Sequence, residues 1–350
     1  MTTEARPELL APAGHWDALR AAAANGADAV YFGVEAFNAR MRAANFRREE
    51  LPAIASWLHR RGLKAYLTLN VLVFSDELAE AGELVLEAAA AGIDALIVQD
   101  VGLARLAGVL APALAVHAST QMSITSSAGV AQAVALGCRQ VVLARELSLE
   151  DLGRIQKQLR SRGITVPLEV FVHGALCVAY SGQCLTSEAL GERSANRGEC
   201  AQACRLPYQL VVDGEERNLG DQRYLLSPQD LAAWELVPRL AGLGIASLKI
   251  EGRLKDASYV AAVTDAYRLS LDAVCPRPHD PAAGHPVASV PAEQRDVRRD
   301  LELSFSRGLS TGWLEGVNHR QLVHGRWSKK RGPRIGRLRR IEADGWWLLE

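Results

Sequence analysis

The chain has 350 residues with 40 basic and 40 acidic side chains, so its formal net charge is zero and global charge names no partner. Hydrophobic residues make up 49%, which supplies a large core and excludes a disordered chain. No run of about eighteen apolar residues is free of charges, which argues against a membrane-spanning helix.

In chain order, short apolar runs predict strands at Glu8–Ala13, Ala29–Val34, Lys64–Val71, Ala95–Asp100, Ala115–Gln121, Gln140–Glu146, Leu168–His173 and Ser247–Glu251. Helical periodicity fills the gaps, as in Ser75–Ala91 and Leu149–Arg162. Gly26, Gly62, Gly92, Gly137, Gly163 and Gly244 each punctuate a helix end before the next strand. Ser227-Pro228-Gln229-Asp230 reads as a helix start. Eight strand–helix units predict an α/β fold, a (β/α)8 TIM-like barrel. An open doubly wound sheet is the alternative, disfavoured because no G-x-G-x-x-G turn follows the first strand.

Two insertions interrupt the units. A cysteine-rich loop, 177–204, follows the seventh predicted strand, and Tyr208–Asn218 reads as a hairpin turning at Asp213-Gly214. The barrel is expected over 8–272, a Pro-rich linker over 273–300, and a small basic, β-rich domain over 301–350. Between Gly316 and Ile341 there is no acidic residue, while Arg320, Arg326, Lys329, Lys330, Arg331, Arg334, Arg337, Arg339 and Arg340 are basic. The last residues, Asp344 to Glu350, read as the opening of a strand, so the chain is expected to be a piece of a longer protein. Met1 to Pro7 lacks the pattern of a secretion signal, and the expected location is cytoplasmic.

Four of the six cysteines fall close together, as Cys177-x6-Cys184-x15-Cys200-x3-Cys204. In a reducing compartment such thiols are metal ligands or reactive groups rather than disulfides. Four thiolates suit zinc or an iron–sulfur cluster. Structural zinc sites pair their cysteines in two tight turns, and here only the second pair is tight, so the spacing leans toward a cluster. Incidental thiols remain the third reading.

The stretch from Glu169 through His173-Gly174, Cys177, Tyr180-Ser181-Gly182 and Cys184 to Ser187 resembles the defining motif of the peptidase U32, or collagenase-like, family. Asn196-Arg197-Gly198 through Cys200 and Cys204 to Arg205 resembles its second half. Lys249, Glu251, Gly252 and Arg253 resemble its last barrel strand, and Glu8 to Gly14 its first, so the resemblance spans about residues 8–272. The resemblance implies a [4Fe–4S] cluster on Cys177, Cys184, Cys200 and Cys204. It also implies an RNA hydroxylase that depends on prephenate. One branch of such enzymes acts on a tRNA wobble uridine and another on a cytidine of 23S ribosomal RNA. A further branch hydroxylates ubiquinone precursors. The run Ser194-Ala195-Asn196-Arg197 and the C-terminal extension are similar to the ribosomal RNA branch.

Polar residues at the predicted C-terminal strand ends are the remaining candidates, because barrel enzymes place their chemistry there. His173, Glu169, Glu251 and Arg253 are the candidate catalytic groups. Glu169 and Glu251 are equally suited to ion pairs with Lys249 or Arg253. Asn70, Asp100, Gln121, Arg145 and Arg205 are candidate substrate contacts, the arginines for the carboxylates of a small cosubstrate. The basic segment with Arg326-Trp327 suits RNA phosphates and base stacking. The rival readings are a metal-dependent peptidase, with a Cys177–His173 pair, and a non-catalytic RNA-binding ribosome factor. No His-Glu-x-x-His or Gly-x-Ser-x-Gly motif supports the peptidase.

Overall fold

The computed structural model describes residues 6–41, 43–276, 296–332, 336–341 and 347–349. The first seven strands are β1 (Glu8–Pro12), β2 (Ala29–Phe32), β3 (Lys64–Leu69), β4 (Ala95–Val98), β5 (Ala115–Ala118), β6 (Gln140–Val142) and β7 (Leu168–Ala175). An excursion follows with β8 (Leu210–Val212), β9 (Glu215–Arg217) and β10 (Asp230–Ala232), and then comes β11 (Ser247–Ile250). Strands β1 to β7 pair in parallel in sequence order, and β11 pairs in parallel with both β7 and β1. That double pairing closes an eight-stranded parallel barrel, the (β/α)8 fold.

Six helices cover the first six strands: α1 (Trp16–Ala24), α2 (Leu51–His59), α3 (Leu78–Ala90), α4 (Val101–Leu110), α5 (Ser127–Ala135) and α6 (Leu149–Ser161). Helix α6 shows why they form. Ser148 and Asp151 make a capping box, and Leu149, Leu152, Ile155 and Leu159 lie on one buried stripe. Glycines stop the helices where expected, with Gly62 at φ 72° and Gly137 at φ 95° after α2 and α5.

The strands alternate between two cores. Leu10, Tyr31, Tyr66 and Ile97 meet inside the barrel. Leu9, Val30, Phe32 and Leu67 face the helices in the larger outer cluster.

Beyond β7 the chain forms the short helix α7 (Thr186–Gly191), and after β10 it forms α8 (Val237–Gly242) and α9 (Ala257–Val274). The expected hairpin is present: β8 and β9 pair antiparallel around Asp213 and Gly214, both at positive φ.

One expectation is corrected. Ser227–Asp230 does not start a helix. Asp230 opens β10, which pairs antiparallel with the end of β7, and its carboxylate is committed to Arg307. The stretch expected as linker and C-terminal domain, 273–300 and 301–350, is described in part. Helix α9 runs to Val274, and α10 (Val297–Ser304) begins inside the expected linker; residues 277–295 lie outside the described residues. Strand β12 (Leu309–Ser310) pairs with β10, so the segment after 296 joins the barrel sheet. Helix α11 (His319–Leu322) follows, and Leu301, Leu314 and Leu322 sit in the main core. Apolar burial holds these described residues against the barrel despite the basic charge pattern around them. Among the described residues after 296, β13 (Leu338–Ile341) and β14 (Trp347–Leu349) pair as a separate two-stranded sheet. Among the described residues, no helix is long and apolar enough to cross a membrane.

Candidate active site at the barrel mouth

The C-terminal strand ends open into a cavity of about 520 Å³. Cys177, Cys184, Cys200 and Cys204 all line it, and none is in a disulfide. Burial raises the pKa of the Cys204 thiol, and Cys177, Cys200 and Cys184 add to the rise against the opposing charge of Arg205. Among the described residues, no three Cys, His, Asp or Glu side chains converge tightly enough to hold a single metal ion.

The cysteine loop is held down by contacts from the barrel. Glu146, just beyond β6, accepts hydrogen bonds from the Ser181 amide at 2.7 Å and hydroxyl at 3.0 Å. Ser123 donates to the Ser181 carbonyl. Arg197 forms a two-pronged pair with Glu77, at 2.8 and 2.5 Å, which holds the Glu77 carboxyl down at about 2. Asn196 accepts from the Cys184 amide at 3.3 Å. Arg205 reaches back to the Leu176 carbonyl at 2.8 Å and the Ser227 hydroxyl at 2.8 Å.

Glu251 follows β11 and takes two guanidinium groups on one oxygen, Arg145 at 2.8 Å and Arg40 at 3.0 Å. Burial alone would raise its pKa. Arg40, Arg145 and Arg253 outweigh burial and hold the carboxyl at about 2, so it stays ionised at neutral pH. Arg145 also lies over the Phe171 ring at 3.7 Å. Arg253 is buried against neutral partners, the Thr68 hydroxyl at 2.8 Å and Asn38 at 3.2 Å. Burial and the nearby Arg40 pull its pKa down to about 10. Deeper in the barrel Lys249 pairs with Glu169 at 2.8 Å, and Gln140 donates to the other Glu169 oxygen at 2.7 Å.

The expected site residues therefore separate. Asn70, Gln121, Arg145, Arg205, Glu251 and Arg253 line the cavity with the four cysteines. His173, Glu169 and Asp100 are not among its lining residues. His173 is 1% exposed behind the wall, 3.3 Å from the Tyr267 hydroxyl, and burial lowers its pKa to about 4. Glu169 is the inner ion-pair partner of Lys249, the bland alternative weighed for it. Asp100 caps α4, accepting from the Leu103 amide at 2.9 Å. Asn70 is partly engaged by the Ala39 amide at 3.0 Å.

Sequence reasoning missed Arg40, Lys255 and Arg307. Arg40 lies in the irregular stretch between β2 and α2, where no periodicity marks it. Its only signal was its place in the loop after a barrel strand. Arg307 comes from the segment assigned to another domain. With them the lining holds nine basic side chains, including Lys329 and Lys330, against the single carboxylate of Glu251.

A (β/α)8 barrel with a thiol-lined, strongly cationic mouth is the class of protein that fold and site define. The chain belongs to peptidase family U32, whose profile matches residues 14–324. The 23S rRNA 5-hydroxycytidine C2501 synthase of Escherichia coli is 43% identical over 269 residues, covering 77% of this chain. The chain spans only 40% of that relative's length. An uncharacterized protease of Methanocaldococcus jannaschii is 37% identical, covering 95% of this chain and 80% of its own length. The tRNA hydroxylation protein P1 of Bacillus subtilis is 32% identical, covering 93% of this chain and 75% of its own length.

Proposed function

We propose that this chain is the catalytic body of a cytoplasmic RNA hydroxylase that oxidises C5 of a pyrimidine, with a cytidine of 23S ribosomal RNA as its target. The observation that carries the reading is the single cavity that joins four thiols to nine cations. Cations of that number suit an anionic polymer and a small acid, and the relatives named for rRNA and tRNA hydroxylation supply the reaction class. Higher identity to the ribosomal RNA enzyme favours 23S rRNA over tRNA.

Cys177, Cys184, Cys200 and Cys204 are the proposed holders of a [4Fe–4S] cluster. Four soft donors around one cavity suit a centre that takes one thiolate per iron. The loose spacing of Cys177, Cys184 and Cys200, with only Cys200 and Cys204 in a tight turn, leans the same way. When bound, the cluster supplies electron transfer at the cavity wall.

The chain's own residues bind and orient. Arg253, with no carboxylate within ion-pair distance among the described residues, offers its guanidinium to a carboxylate of prephenate, the proposed cosubstrate. Glu251 is too strongly held as an anion to donate a proton; it fixes Arg40 and Arg145 in place. Asn70 and Gln121 present amides toward a base.

The peptidase reading loses its geometry here. Among the described residues no histidine lines the cavity, so the Cys177–His173 pair does not form across it. Mass spectrometry of ribosomal and transfer RNA tests the proposal. Deleting the gene removes a hydroxylated pyrimidine, and the intact gene restores it while the Cys184→Ala form does not. An unchanged RNA profile contradicts the hydroxylase. Restoration by the Cys184→Ala form would favour a non-catalytic RNA-binding factor.

A further inference from the structure

The nine cations of the cavity are not one group. Arg40, Arg145 and Arg253 gather round Glu251. A second set comes from three distant parts of the chain: Arg205 after the cysteine loop, Lys255 after β11, and Arg307 between α10 and β12. Phe305 ties two of them together, with the Lys255 ammonium 2.8 Å and the Arg307 guanidinium 5.5 Å from its ring centre. Lys329 and Lys330 line the same cavity and are exposed.

This second set is short of counter-charge. Asp230 is buried and offsets the charge of one member, Arg307, alone. Glu251 is taken by Arg40 and Arg145. Asp256 feels the charge of Lys330 and Lys255 but spends its carboxylate capping α9, on the Tyr259 amide at 2.9 Å. Among the described residues, no carboxylate lies within ion-pair distance of Arg205 or Lys255. The set also repels itself. Burial and then Arg307 lower the pKa of Lys255 to about 8. Like charges held together behind a low-dielectric wall are relieved by a bound anion.

We propose that Arg205, Lys255 and Arg307, with Lys329 and Lys330 at the rim, form a phosphate subsite separate from the Arg253 carboxylate subsite, and that it seats a backbone phosphodiester beside the target nucleotide. Cations that reach one cavity from separate segments suit an anion with several exchangeable oxygens, as a phosphate has. The lysines at the rim also make the subsite continuous with the basic stretch that follows Gly325. The assignment to RNA rests on the hydroxylase reading; the phosphate chemistry does not.

The test labels lysines of the full chain with an amine-acylating reagent and reads Lys255 by mass spectrometry. Three probes are compared: a short single-stranded RNA, inorganic phosphate and malonate. The expected result is that RNA slows Lys255 labelling severalfold and malonate leaves it unchanged. In the same RNA, Lys255→Gln and Lys329→Gln each reduce the log–log salt slope of binding by about 1. Protection by phosphate but not RNA would support the subsite and assign it to a phosphorylated small molecule, overturning the RNA assignment alone. Equal protection by malonate, or unaltered Lys255 labelling with both RNA and phosphate, would overturn the subsite itself.

Discussion

Glu146 holds Ser181 by two hydrogen bonds to one carboxylate oxygen, and Ser181 lies on the arc between Cys177 and Cys184. The barrel thereby sets the path of two of the four thiols. Gly182 completes the arrangement: it has φ +75°, and a Cβ there would lie 2.0 Å from the Gln121 carbonyl oxygen. Glu146→Ala removes both bonds and is expected to cost about 1–3 kcal/mol locally. Alkylation of Cys177 and Cys184 in metal-free protein should then accelerate, while Glu146→Gln keeps an acceptor and lies between. Unchanged thiol reactivity in Glu146→Ala would show that the loop finds its path without Glu146.

The buried imidazoles predict acid sensitivity. Burial holds both His117 and His173 at about 4, below the ordinary 6.5. Between those values the unfolded chain binds the protons and the folded chain refuses them. Stability from this source is fully present above about 6.5 and falls as the pH drops toward about 4, by at most about 1.4 kcal/mol per pH unit for each ring. Urea unfolding midpoints across that window measure it. His117→Gln should roughly halve the slope, and an unchanged slope would count against burial as its origin.

The Lys249–Glu169 pair is the most deeply buried charge pair in the barrel, with side chains 4% and 0% exposed. Such a pair adds little net stability, yet losing one partner strands the other. Lys249→Met is expected to destabilise by about 3–5 kcal/mol. The double variant Lys249→Met with Glu169→Gln should recover part of that loss. Denaturant unfolding of the two variants checks the order, and a double variant weaker than the single would contradict it.

The sequence and the molecule agree where physics is local. All eight barrel strands lie within or overlap their predicted runs, because short apolar segments bounded by glycine have few other solutions. Hairpin β8–β9 was legible from Asp213-Gly214 for the same reason. Ser227–Asp230 failed because a good capping signal lost to a long-range ion pair with Arg307, 77 residues away. The contact of the segment after 296 with the barrel was not legible, because charge runs mark surfaces, while the buried Leu301, Leu314 and Leu322 decide where a segment packs. Of the cavity lining, strand-end position pointed to Arg145, Glu251 and Arg253. Arg40 was beyond reach, since what holds it at the cavity is a carboxylate 211 residues later. His173 and Asp100 lie outside the cavity lining, since position at a strand end does not say which way a side chain turns.

The account depends on Cys177, Cys184, Cys200 and Cys204 sharing one inorganic centre. Iron and acid-labile sulfide should be measured in anaerobically purified protein, together with its visible spectrum. The account predicts iron and sulfide in equal amounts, a broad band near about 400 nm, and loss of both in a Cys184→Ala, Cys200→Ala double variant. Stoichiometric zinc with no sulfide, or four thiols that alkylate freely in protein carrying no metal from an anaerobic preparation, would contradict it.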